Sequence, residues 1–422
     1  MSLTTPRAGT SAAASPHDVD PNPNARSSVL ARPRHWKGEC LFMTGSARIY
    51  QALLFGKNVR LMQSIPGMLV RAGFEVDVIA SRPLPIWPGK SVRLHYVPGA
   101  SALLPAALAA IQKPYDLVIP ADDATIGLIL GADIPDALKL KLLPVCGVEH
   151  FSHLYSKIRL AQAMHAHRIN SPAFRVAHHP DDLADCGRAL GYPLLVKVDA
   201  SGAGEGVYEC RTEDELKQLS AAPISFPVLV QEKIEGQLLD LSGFYQAGQL
   251  VHFGYATIQA TVSGPFGPSS MRRYRQLSEV AAEVFDELQT IGHALGLNGF
   301  SNLGCLLSQR DGKRYYFEAD TRPIIWSDYT KYIGNDLALA IRNYFQSGTT
   351  LRHPVPRNTD YPATMHMVCP QRMPVHQLLL NRHQSWKWFH REGLGFMTRK
   401  LALKLFDVLP TSRRVFPDRL LH

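Results

Sequence analysis

Residues 191–210 read GYPLLVKVDASGAGEGVYEC. An apolar run ends on Lys197, Asp199 follows, and the loop Ser201-Gly202-Ala203-Gly204-Glu205-Gly206 leads into a second β-type run at 207–210. The order predicts strand, lysine, flexible loop, strand. Backbone N–H groups hold phosphate oxygens only where the chain comes close, and glycine has no Cβ to prevent that approach. The Lys197 ammonium at the strand's end would neutralise part of the phosphate charge. Glycine-rich turns between strands are common in their own right. This one is not a Walker A loop, because no Gly-Lys-Ser/Thr closes it, and it opens no helix as a dinucleotide fingerprint must. Its meaning depends on what flanks it.

Working outward, the 422 residues suggest two to three domains. A hydrophobic content of 45% and a charged content of 19% are ordinary for a globular chain. No apolar run approaches the ~20 residues of a membrane helix, and no N-terminal stretch has the order of a signal peptide, so a cytoplasmic protein is expected. The six cysteines are scattered without a C-x-x-C pair, which argues against a zinc site or a disulfide framework. The net charge of +9 is uneven: residues 381–422 hold nine Lys/Arg against three Asp/Glu. These basic residues are not interleaved with a stacking platform, so no nucleic-acid partner is expected.

Upstream, residues 1–36 are rich in Ser, Ala, Pro and Asn and are expected to be disordered. Residues 40–44 read as a short strand, and 47–71 as a helix with Ile49, Leu53, Leu54, Leu61 and Met62 as core positions, stopped by Gly73. Further strands are expected at 74–80 and 117–120, the latter followed by Asp122-Asp123 and a helix. Alternating strand and helix predicts a parallel α/β domain over 37–150. Asp122 and Asp123 stand at a strand's carboxyl end, where open α/β sheets bind ligands; the plainer reading is a helix N-cap. A second domain is expected over 151–350, with a lid lobe at about 170–235. It opens on a helix carrying Lys157.

Downstream, 227–232 is an apolar strand, 238–245 and 250–256 are consecutive strands, and 260–276 is a Gly/Pro/Ser loop ending in Arg272, Arg273 and Arg275. A helix follows at 278–295, with Val280, Val284, Leu288 and Ile291 at helical spacing. The Asp311-Gly312 pair marks a hairpin. On its second arm Glu318, Asp320 and Arg322 are two residues apart and would share a face. Two carboxylates and a guanidinium there suit a cation, phosphates and a substrate carboxylate; a solvated charged face is the alternative, against which the approach Tyr315-Tyr316-Phe317 argues. Another helix is read at 336–345. Residues 351–422 form a basic extension, whose stripe of Leu394, Met397, Leu401, Leu405 and Val408 beside Arg399, Lys400 and Lys404 reads as a packed lid or as a surface for anionic lipid.

Taken together, residues 37–345 resemble the ATP-grasp superfamily, in its carboxylate–amine ligase and carbamoyl-phosphate-synthase type of ATP-binding domain. Ile169-Asn170-Ser171-Pro172, Gly191-Tyr192-Pro193-Leu194-Leu195-Val196-Lys197, the glycine loop, Val228 to Glu232 with Gly236, and Glu318-Ala319-Asp320-Thr321-Arg322-Pro323 match its motifs in order. The resemblance implies an α/β and α+β multidomain fold, with a parallel N-terminal domain ahead of a two-lobed ATP-grasp domain. It implies an ATP- and Mg-dependent (or Mn-dependent) ligase that acts on small-molecule carboxylates and amines, with amino acids or small peptides as the family-level substrates. By the same resemblance Lys157 and Lys197 would contact the phosphates and Gly202, Gly204 and Gly206 would close over them. Glu232 and the Ile234 backbone would take the adenine edge, and Asp240 stands nearest the place of a ribose acid. Glu318 and Asp320 would bind the metal, and Arg322, with Lys197, would act on the substrate. Two departures stand out. Asp320 replaces a usual asparagine, which suits a hard cation equally well. The first hairpin arm offers Gly304 or Cys305, depending on the turn, where an acid or amide is usual, so a sensor or scaffold that binds ATP without ligating is the competing reading. Membrane-surface contact of the tail and a homo-oligomer stay open.

Overall fold

The computed structural model of the chain describes residues 48–82, 84, 89–202 and 204–369. The expectations for 1–36, for a strand at 40–44 and for the apolar stripe of the basic extension lie outside these residues.

The first sheet is built from β1 (Tyr50–Gly56), β2 (Phe74–Ala80), β3 (Val92–Tyr96) and β4 (Leu117–Pro120), all parallel in the order β3-β2-β1-β4. Residues 47–71 are therefore not one helix. Tyr50–Gly56 is the central strand, followed by the short helices α1 (Val59–Met62) and α2 (Ile65–Arg71), and Ile49 is 60% exposed. The physical reason is burial on both faces. Ala52 and Leu54 face one core with Phe74, Val76 and α2, and Leu53 and Phe55 face another. That second core holds α3 (Leu103–Ala110), α4 (Asp123–Leu130) and α5 (Asp136–Leu142). A strand covered on both sides carries a continuous apolar run, and such a run has no period that separates strand from helix.

The lid sheet, in the order β5-β8-β6-β7, is antiparallel and comprises β5 (Phe174–Ala177), β6 (Leu194–Val198), β7 (Val207–Cys210) and β8 (Val228–Glu232). Its apolar face packs against α7 (Asp182–Leu190) and α8 (Glu213–Ser220). Between the first and lid sheets in the chain runs α6 (Lys157–Ala166). Its Ile158 and Ala161 pack on the lid strand residue Leu229, and its Leu160 and Met164 join the core of the third sheet.

That third sheet has six strands in the order β13-β12-β9-β10-β11-β14, antiparallel throughout: β9 (Gly236–Gln246), β10 (Gln249–Thr261), β11 (Ser269–Arg275), β12 (Gly299–Ser308), β13 (Arg314–Asp320) and β14 (Thr364–Val368). One face is covered by α9 (Ala282–Ala294) through Val284, Leu288 and Ile291. The other face carries Asp240, Ser242 and Asn302, and beside them Phe244 and Phe300, which join the core of the first sheet. Arg272, Arg273 and Arg275, expected on a loop, lie in β11, held between β10 and β14. Finally α10 (Leu337–Ser347) returns to the first sheet, where Leu337, Ala338 and Ile341 complete the core under β1 and β2. The core of the first sheet thus draws on residues nearly 300 positions apart. Among the described residues no helix is long and apolar enough to cross a membrane.

Candidate functional site

The polar face of the third sheet and the lid sheet are brought together around Lys197. Lys197 is the fourth residue of β6 and is buried, its Nζ donating to Gln231 Oε1 at 2.7 Å. It also lies 5.0 Å from the centroid of the Phe317 ring, on β13. Burial pushes its ammonium down to about 8, helped by Lys157 and opposed by Glu318. Lys197 and Glu318, 121 positions apart, therefore act on one another across a single cleft.

Lys157 opens α6. Its Nζ donates to the carbonyl of Asp199 at 3.0 Å, to those of Val198 and Ser201, and to Ser201 Oγ at 3.0 Å. Burial lowers its ammonium as well, against the attraction of Glu318, Asp199, Asp320 and Asp123. The helix start is fixed to the same loop: Ser156 is the N-cap of α6, and Asp199 accepts from Ser156 Oγ and, at 2.8 Å, from Ile158 N. In the loop itself Gly202 faces open space and Gly206 has φ +68°. Gly204 has φ +82°, and a Cβ there would lie 2.3 Å from the Phe266 carbonyl oxygen, so only glycine fits between the loop and the 262–268 segment.

The expected adenine hinge follows β8. Glu232 is half-buried and its carboxylate accepts from Arg310 Nη1 at 3.0 Å, while Ile234 is buried.

On the third sheet Asp240, Gly304 and Glu318 form one cross-strand row, and Ser242, Asn302 and Asp320 the next. Cross-strand partners share a face. A bulge at Phe317 shifts the hairpin register between Cys305↔Tyr316 and Gly304↔Glu318, which is what sets Gly304 rather than Leu303 opposite Glu318. A Cβ on Gly304 would lie 3.3 Å from Glu318 Oε2 and 3.2 Å from the Phe317 ring, so the glycine makes room for the glutamate. Asp240, expected near a ribose, is instead committed to Arg272, which meets it through two 2.7 Å bonds; Ser242 Oγ and Asn302 Nδ2 donate to it as well. Ser242 Oγ shares its one proton between Asp240 and Asn302 Oδ1, and with the Arg272 fork and the Asn302 amide this commits the carboxylate to protein donors. Arg272 also lies 4.7 Å from the Trp326 ring centroid.

Glu318 opens to the cleft yet is enclosed by protein, and Asp320 is half-buried beside it. Desolvation raises both carboxyls, Asp320 well above its ordinary range, despite the pull of Lys197 and Arg322 on Glu318 and of Arg322 on Asp320. Arg322 lies just past the end of β13; its Nη2 meets Asp320 Oδ2 at 3.2 Å and Asp123 Oδ2 at 2.6 Å. The predicted trio of Glu318, Asp320 and Arg322 is thus together. Among the described residues no group of three or more His, Cys, Asp or Glu is arranged to hold a metal ion. The donor set still fits magnesium, which is commonly held by one or two carboxylates with phosphate and water oxygens making up the rest. Two desolvated carboxyls that lack a full counter-charge are what such a cation would neutralise.

Gln231, Asp199 and the Arg272–Asp240 pair were not legible beforehand. Only Asp199 gave a local signal, as the acid just beyond the Lys197 strand.

Comparisons with known proteins agree with this architecture. Residues 155–238 match the RimK-like ATP-grasp domain. A curated relative, a D-alanine–D-alanine ligase of Bacillus pumilus, is 27% identical over 176 residues, 36% of this chain and 48% of that protein, so the match spans about half of the relative's length. Among solved structures, an L-amino acid ligase from Bacillus licheniformis aligns at TM-score 0.51 with 19% identity, covering 70% of this chain and 74% of that one. An N5-carboxyaminoimidazole synthetase from Staphylococcus aureus, complexed with ADP, aligns at 0.55 with 13% identity, covering 72% and 78%. The biotin carboxylase domain of a Hydrogenobacter thermophilus 2-oxoglutarate carboxylase aligns at 0.54 with 14% identity, covering 76% and 74%. At these identities the structural likenesses establish the fold alone, and the domain match covers the stretch 155–238. Residues 155–238, the stretch that carries Lys157 and Lys197, are thus similar to the RimK-like ATP-grasp domain, on a fold shared with these solved structures.

Proposed function

We propose that the protein is an ATP-dependent carboxylate–amine ligase. The observation that carries this reading is the convergence of Lys157 and Lys197 from the lid side with Glu318, Asp320 and Arg322 from the hairpin, within one cleft. Lys157 and Lys197 would hold the nucleotide phosphates under the loop of Gly202, Gly204 and Gly206. The hinge of Glu232 and Ile234 would take the adenine. Glu318 and Asp320 would hold Mg²⁺ or Mn²⁺, whose positive charge offsets charge on transferring phosphoryl oxygens. Asp240 is left out of the binding set because its carboxylate is committed to the Arg272 fork and the Asn302 amide, with Ser242 beside it.

In this reading Arg322 orients the substrate carboxylate. The carboxylate oxygen attacks the γ-phosphate, the β–γ bridging bond breaks, and ADP leaves with the electron pair. An amine then attacks the acyl phosphate carbon, phosphate leaves, and the amine's proton passes to solvent or phosphate. No protein nucleophile is required. Catalysis consists of positioning and charge neutralisation by Lys157, Lys197 and Arg322.

The test is ADP release from the purified chain with Mg²⁺, ATP, pooled carboxylates and pooled amines. Release that needs both pools, with a product mass equal to acid plus amine minus water, supports the ligase; Glu318→Ala should abolish it. Tight ATP binding with no turnover on any pool would instead favour a nucleotide-binding sensor, the reading that Gly304 at the usual acid position invites.

A further inference from the structure

Along β11 the arginines meet two electrostatic fates. Arg272 is buried on the cleft-floor face, where Asp240 neutralises it. Arg273 and Arg275 are half-buried on the opposite face, which α9 covers only in part. Arg273 lies opposite Thr257 of β10 and His366 of β14, the edge strand. Arg275 lies opposite Tyr255, with its guanidinium carbon 5.8 Å from the ring centroid. Among the described residues neither guanidinium meets a carboxylate, and the buried Nε of each has no hydrogen-bond partner. The half-buried Arg314 and Arg322 are, by contrast, matched to Glu287 and to Asp320. Glu287, the acid that α9 brings to this side, is taken up by Arg314 and the Tyr316 hydroxyl. An N–H buried without a partner costs stability, so Arg273 and Arg275 are two cations short of an acceptor.

We propose that Arg273 and Arg275 form a binding site for a phosphate group, on the far side of the third sheet from the nucleotide cleft and independent of the ligase reading. Residues two apart on a strand stand about 7 Å from each other on one face, close enough for two long side chains to close on one small anion. The Nε–H of a guanidinium and a neighbouring Nη–H form a planar fork. With both Nε–H groups free, each arginine presents such a fork. A carboxylate has two oxygens and is taken up by one fork. A phosphate has three or four oxygens and nearly two charges, and answers both. His366, the cross-strand neighbour of Arg273, adds an imidazole at the same place. The basic end of the chain does not meet this demand: residues 381–422 hold nine Lys/Arg against three Asp/Glu and would be repelled. A second copy meeting the patch about a two-fold axis would set the same arginines against one another. The missing partner is therefore an anion from outside the chain.

The test is titration calorimetry on the full chain saturated with Mg²⁺ and the imido analogue of ATP, so that the phosphate contacts of the cleft are already occupied. Inorganic phosphate and glycerol 3-phosphate are each titrated at fixed ionic strength, with acetate as the one-fork control. Saturable binding of one phosphate per chain is expected, with acetate weaker by about tenfold or more, the scale of a charged hydrogen bond. Preference for inorganic phosphate assigns the site to the free anion, and preference for the ester assigns it to a phosphorylated molecule; either supports the site. Arg273→Gln and Arg275→Gln should each weaken phosphate binding by about tenfold or more. Their affinity for the ATP analogue should stay unchanged, which shows that they are folded; if one of them loses it, the other carries the test. Arg273→Lys keeps the charge without the fork and should restore little of the loss. The inference is overturned if the loaded chain binds no phosphate, or if neither glutamine variant weakens binding. It is likewise overturned if Arg273→Lys binds as the native chain does, or if acetate binds as tightly as phosphate.

Discussion

The inner part of the cleft floor, around Asp240, and its outer rim, around Glu318 and Asp320, are built from the same cross-strand rows and reach opposite electrostatic states. Asp240 is buried against a guanidinium, a hydroxyl and an amide, all supplied by the protein. Glu318, two strands away in the same row, meets Gly304 instead of a donor, and its carboxyl is driven up by desolvation. A carboxylate whose acceptors are filled from within contributes to the fold. One left short of positive charge at the mouth of a cleft is poised for something the chain does not contain.

The contrast breaks first at Asp240. Asp240→Asn leaves the Arg272 guanidinium buried with no full counter-charge, and removing one member of a buried pair costs about 3–5 kcal/mol. Chemical denaturation should register that loss. A variant as stable as the native chain would mean that Arg272 finds another acid and that Asp240 is available to a ligand after all.

Glu318→Gln should do the reverse. Carboxylate-dependent ADP release is expected to fall by roughly 10²–10³, the scale for one lost electrostatic contact to a transition state. The ligand-free fold should be unharmed, or more stable by about 0.5–2 kcal/mol, as is usual when a strained site residue is relieved. The sign follows from proton linkage. A carboxyl raised in the folded state holds its proton where the unfolded chain has lost it, so stability falls as pH rises through that window and stays lower above it. Glutamine removes the penalty. Loss of both activity and stability would place Glu318 in the same class as Asp240.

Lys197 offers a third, smaller test, because its ammonium titrates at about 8 in the folded chain against 10.5 ordinarily. Between those values the unfolded state binds more protons, so this group makes the ligand-free protein more stable as pH rises. Nucleotide binding should respond in the opposite direction. Phosphates need the charged ammonium, so the affinity for ADP should weaken by up to about tenfold per pH unit above 8, the slope of one proton. Lys197→Met should flatten the profile measured by calorimetry. A profile unchanged by that substitution would detach Lys197 from the phosphates.

How much of this could be read from the chain divides along the same line. The Lys197 strand, the glycine loop and the Glu318-Asp320-Arg322 arm carry their chemistry within a few consecutive residues, and period-2 alternation is enough to align them. What satisfies Asp240 could not be read, because its partner Arg272 comes from a strand formed only by pairing with β10 and β14. Ser269–Arg275 has no apolar alternation to announce it, so the segment looked like loop. Tyr50–Gly56 was lost for the opposite reason, being apolar on both faces. The register at Gly304 needed the bulge at Phe317, which no turn count foretells.

The smallest expected effect lies at the cleft wall, where Ser156 both caps α6 and donates to Asp199. Ser156→Ala removes one acceptor for Arg159 N and one donor to a half-buried carboxylate. Asp199 keeps the Ile158 N–H, and Lys157 keeps the carbonyls of Val198, Asp199 and Ser201, so the junction between helix and loop is held by several bonds rather than one. Loss of an N-cap side chain typically costs about 1 kcal/mol, and denaturant titration should find close to that. Unlike Asp240, the group left behind has water within reach, so its charge is never stranded. A loss of 3 kcal/mol or more would show that Ser156 and Asp199 form a dry, closed pair of the Asp240 kind, and the loop that carries Gly202 and Gly204 would then be a fixed wall of the cleft rather than a segment able to close over phosphates.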